Sequence, residues 1–85
     1  MNDVEKIIER IREGECLTIS CSRYEELINY RDGKFISTFE DGVNETFKVR
    51  NESYVRSNIV QALNAPVYYD LYIGDEDLIH GEMGD

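Results

Sequence analysis

Beyond Arg56 the chain contains no lysine and no arginine. Residues 1–56 carry twelve acids and all nine bases, whereas residues 57–85 carry six acids and no base. The net charge is −9, and two thirds of it falls in the last third of the chain. Phosphate contacts need a basic patch, so this balance argues against direct binding to DNA or RNA. Anionic membranes are disfavoured for the same reason, and basic protein surfaces become the natural partner class.

Material for metal or thiol chemistry is equally scarce. Cys16, Cys21 and His80 are the only residues of their kinds, one ligand short of a closed zinc site. A Cys–His dyad needs a base held close to a thiol of lowered pKa, and nothing in the sequence points to that pairing. Asp75 and Asp77 occupy the first and third positions of a calcium-loop pattern, but Ile79 takes the fifth, so that pattern fails. Gly-rich phosphate loops are absent. No apolar run approaches 18 residues and no secretory leader pattern is seen, which predicts a cytoplasmic protein, in the host cell's cytoplasm if phage-encoded. The expectation is a protein that is not an enzyme, with no catalytic residue, metal or cofactor.

What remains is enough to fold. Eighty-five residues, 41% of them apolar, with six Tyr and three Phe but no Trp, suffice for one hydrophobic core and not two. Val4, Ile7, Ile8 and Ile11 recur at helical spacing, so residues 3–13 read as an amphipathic helix capped by Asn2 and ended by Gly14. The period then changes to two. Residues 15–22 place Leu17, Ile19 and Cys21 on one face and Cys16, Thr18 and Ser20 on the other. As a strand, this segment holds the two cysteines about 16 Å apart, too far for a disulfide.

Residues 24–31 and 34–40 form a hairpin around Asp32-Gly33, a dipeptide that favours the type I′ turn. Asp41-Gly42 reads as a second tight turn, leading into a strand over 43–49. Asn51 caps a second helix, 52–64, with Val55, Ile59, Ala62 and Leu63 as its stripe and Asn64 and Pro66 as its stop. Residues 67–73 alternate again, with Val67, Tyr69, Leu71 and Ile73 sharing a face. The predicted class is α+β: two helices on one face of a 3–5-stranded antiparallel sheet, in the order α-β-β-β-(β)-α-β. One domain spans 1–74, and 75–85 reads as an acidic, flexible tail.

Glu25-Glu26 and Glu40-Asp41 read as solvated pairs, since acid–base work needs one carboxyl in an apolar pocket. Carboxylates on strand edges and turns repeat at about 6.6 Å, comparable to phosphates along a DNA strand. The candidate partner-binding residues are therefore Glu40, Asp41 and Glu45 around one hairpin, with Asp75, Glu76, Asp77, Glu82 and Asp85 near the C-terminus.

The layout also resembles a known family. Asn2-Asp3 opening a short helix, Leu27-Ile28 in the second strand, and Asn51-Glu52-Ser53 with Val55 at the second helix are similar to the small acidic anti-CRISPR proteins of phages. Those proteins occupy the DNA-binding groove of an RNA-guided nuclease. The resemblance covers residues 1–64, and the strand at 67–73 with its acidic tail departs from the pattern. It implies a DNA-mimic inhibitor whose partner is a basic, nucleic-acid-acting defence enzyme. The alternative expectation is a non-catalytic homodimer that pairs through the sheet face bearing Tyr68 and Tyr72, with acidity serving only solubility.

Overall fold

The computed structural model describes residues 3–40 and 45–79. Helix α1 (Asp3–Arg12) is followed by strands β1 (Leu17–Ser20), β2 (Glu25–Arg31), β3 (Lys34–Glu40) and β4 (Glu45–Arg50). Helix α2 (Glu52–Asn64) and strands β5 (Asp70–Ile73) and β6 (Glu76–Ile79) follow. The class is α+β, with two helices and one antiparallel sheet ordered β4-β3-β2-β1-β5-β6.

Both helices form for the reasons their sequences give. In α1, Ile7, Ile8 and Ile11 are buried, while Asp3 and Glu5 begin the helix and Arg10 and Arg12 end it, in the sense that favours the helix dipole. The Asn51 side chain accepts a 2.8 Å hydrogen bond from the Tyr54 N–H, which caps α2. Val55, Ile59 and Ala62 form the buried stripe of α2.

The core joins these helix stripes to Leu17, Ile19, Ile28, Phe35, Leu71 and Ile73. All six sheet residues lie on one face, as strand alternation requires. Asp32 and Gly33 both have positive φ, 52° and 77°, so the β2–β3 hairpin turns as Asp-Gly predicts.

Four expectations need correcting. The sheet has six strands, not three to five. The sixth, β6, comes from the segment read as an acidic tail, where Glu76 and Asp77 pair with Ile73 and Tyr72. Second, Glu40 pairs with Glu45, and β4 runs to Arg50, one residue beyond the strand expected over 43–49. The Asp41-Gly42 turn itself lies outside the described residues, as do Asn2 and His80. Third, β1 is four residues long, so Cys16 and Cys21 flank it; both are free and half-buried. Fourth, Tyr68 sits in the turn before β5, exposed, and not on the sheet face that bears Tyr72.

Candidate functional site

The register assembles a surface that no single segment contains. Residues opposite one another on neighbouring strands share a face. Glu25 pairs with Glu40, Glu40 with Glu45, Ser20 with Glu25, and Ser20 with Asp70. These residues alternate with the buried ones, so they form a transverse row on the sheet face away from the helices. At a strand spacing of about 4.8 Å the row from Asp70 to Glu45 crosses five strands in roughly 19 Å.

Beside it run Tyr72, Thr18, Leu27, Thr38 and Phe47, then Asn29, Ile36 and Val49. Phe47 and Val49 are each 65% exposed. A shallow hollow on this face is lined by Asn29, Arg31, Ile36, Thr38 and Phe47. The field of the row is felt locally: Asp70 foremost, with lesser contributions from burial, Asp77 and Glu25, pushes the Tyr72 phenol above its ordinary range. Among the described residues, Glu25, Glu40 and Glu45 have no ion-pair partner.

The predicted site residues do not come together as two clusters. Glu40 and Glu45 lie in the row, at the β3–β4 edge. Asp77 is on the same face at the opposite edge, beside Tyr72. Asp75 sits in the β5–β6 turn. Glu76 projects to the helix side, where Arg10 Nη1 donates to it at 2.6 Å while Arg10 Nε and Nη2 each donate to Glu15 at 2.8 Å. Hydrogen bonds from Arg10 in turn hold the Glu15 carboxyl below its usual range. Asp41, Glu82 and Asp85 fall outside the described residues.

Glu25 and Asp70 were missed, although they make the row continuous. The signal for Glu25 was available: a two-residue turn at 32–33 pairs Arg31 with Lys34, and counting back along both strands sets Glu25 opposite Glu40.

The neighbouring Glu26 behaves oppositely. The sequence suggests half of a solvated pair, yet Glu26 is 1% exposed. Ser37 Oγ and Tyr54 Oη both donate to its Oε2, at 2.6 and 2.7 Å. The Arg50 guanidinium lies over the Tyr54 ring, 4.1 Å from its centroid. Beyond this network, the helix-facing side of β3 and β4 opens into a groove lined by Arg23, Tyr24, Phe39, Thr46, Lys48 and Arg50. Sequence reading missed it because Arg23 lies far along the chain from Lys48 and Arg50, and only the strand order brings them together.

Burial pushes the Cys16 thiol up, which opposes thiolate formation. Among the described residues no three His, Cys, Asp or Glu side chains gather as a metal site, and no helix is long and apolar enough to cross a membrane. Compared with known proteins, the chain matches no family model, no curated protein and no solved structure.

Proposed function

We propose that this chain is a non-catalytic protein-binding domain that docks through the open face of its sheet onto a basic surface of another protein. The observation behind this reading is the row of Glu25, Glu40 and Glu45 beside exposed Phe47 and Val49. Like charges directly opposite on adjacent strands cost stability, and an apolar patch rimmed by charge is the composition of a docking surface. A cationic partner offsets the repulsion and covers the apolar residues in one step. In its narrower form the proposal is a DNA-mimic inhibitor. Glu25, Glu40, Glu45 and Asp70 stand in for a phosphate row, and the partner is the basic groove of a nucleic-acid-acting defence enzyme.

The test is capture of partners at two salt concentrations, followed by competition with duplex DNA. Wild type should hold a nucleic-acid-binding protein that both salt and DNA displace. Changing Glu25, Glu40 and Glu45 together to Gln should weaken that complex on the order of 10²-fold. Unchanged affinity and an unchanged salt slope in the triple variant would show that the acids only solvate.

One observation favours a second reading, a homodimer through the same face. Arg31 pairs with Lys34 at the far end of that face, about 20 Å along β2 from Glu25. A two-fold axis between two such faces, running across the strands, sets each acidic row over the other copy's Arg31 and Lys34. Sedimentation equilibrium separates the readings: a dimer lost on Glu25→Lys and regained with Arg31→Glu and Lys34→Glu in the same chain supports self-pairing, and a monomer throughout rejects it.

A further inference from the structure

The groove on the opposite side of β3 and β4 is an electropositive feature of this acidic molecule for which the open face gives no account. Its volume is about 430 Å³, and among the described residues that line it none is a carboxylate. Three of the chain's nine bases meet there. Arg10, Arg12 and Arg56 are committed to ion pairs with Glu15, Glu76, Glu52 and Glu5, whereas among the described residues Arg23 and Lys48 have no such partner.

Arg50 is held in place by stacking on Tyr54, yet its buried Nε–H has no acceptor. An unmet buried donor is costly enough to need an explanation. On one wall, Tyr24 and Phe39 pack with ring centroids 5.3 Å apart at 58°. The Thr46 hydroxyl, opposite Phe39 in the register, adds a neutral donor. Glu26, buried and engaged by Ser37 and Tyr54, sets one acid against the three bases that line the groove.

We propose that this groove binds a small phosphate monoester carrying a planar ring, the mononucleotide class. Two guanidinium groups and an ammonium match the charge and the several acceptor oxygens of a phosphate. The Tyr24–Phe39 wall offers apolar contact to a ring. Size also follows from charge. At physiological salt a field decays over about 8 Å, so a small anion senses the local cations. A long polyanion would also meet the remaining acids of a −9 chain. The site lies on the face of β3 and β4 away from the acidic row, so it stands or falls independently of the docking proposal.

The experiment is titration of the full chain, followed by amide NMR, with AMP, ribose 5-phosphate, inorganic phosphate and adenosine as separate probes. AMP should give saturable shifts at residues 23–24, 39 and 46–50, and should bind more tightly than either phosphate alone or adenosine. Lys48→Met and Arg23→Met, both exposed changes, should each weaken AMP about tenfold. Lys34→Met, on the other face, should leave binding unchanged. No saturable AMP shift overturns the proposal, as does equal binding of adenosine or insensitivity to both Met variants. Equal binding of inorganic phosphate and AMP overturns the ring half of it.

Discussion

The two flanks of the sheet are built from similar residues and meet different fates. In β1 and β5, residues alternate between buried and half-buried, and Leu17, Leu71 and Ile73 are completely enclosed. In β4, five of six residues are exposed, Phe47 and Val49 among them. The difference is one of coverage. Two helices of about 10 Å diameter span roughly 20 Å side by side, about four strand spacings, and they pack over β2 and β5. A six-stranded sheet outruns them, and β4 is left exposed on both faces except at Arg50, which reaches Tyr54 of α2. A β-branched or aromatic residue therefore signals a strand, and the distance of that strand from the helices decides whether it signals core.

The sharpest way to break this comparison is to truncate one residue on each flank. Leu71→Ala should cost about 2–5 kcal/mol, because the side chain is fully enclosed. Val49→Ala should stay within about 0.5 kcal/mol. Urea denaturation of both variants checks this, and equal losses would mean that β4 is covered in solution.

The neighbouring glutamates of β2 repeat the contrast within one dipeptide. Glu26→Ala strands the hydroxyls of Ser37 and Tyr54 and should destabilise by about 1–3 kcal/mol. Glu25→Ala removes a like-charge pairing with Glu40 and should be neutral or slightly stabilising. If both variants lose the same stability in the same assay, the assignment of the two side chains to opposite faces is wrong.

The smallest expected effect is alkaline. Burial, before weaker contributions from Tyr69 and Cys21, pushes the Tyr24 phenol up to about 12 from an ordinary value of 10.0. The unfolded chain gives up this proton first. The contribution of Tyr24 is therefore intact below pH 10 and is lost as pH rises towards 12. Tyr24→Phe should flatten the decline of melting temperature across that window, and an unaltered slope would show that the phenol is not buried.

Both helices, the Asp-Gly hairpin and the two-period strands were legible because local chemistry writes them. Asn51 caps whatever follows it, and Asp32-Gly33 prefers one turn wherever it occurs. Strand β6 was not legible. Glu76-Asp77-Leu78-Ile79 lacks an alternating pattern, and it forms a strand by pairing with β5 around the turn at Gly74. There φ is +58° and an added Cβ would meet Glu15 Oε1 at 2.5 Å. The candidate acids were half legible. Glu40 and Glu45 follow from the hairpin they flank, while Asp70 enters the row only because β5 returns beside β1.

By itself, then, the sequence determined the helices, most of the strands, the apolar faces and the gross acidity, all of which depend on neighbours within about ten residues. Tertiary structure alone decided which charges meet. It set Glu25, Glu40, Glu45 and Asp70 in line across strands from three parts of the chain. It also buried Glu26 and gathered Arg23, Lys48 and Arg50 in one groove. Charge is read by distance in space, and between strands that distance is fixed by register and order, which no local pattern records.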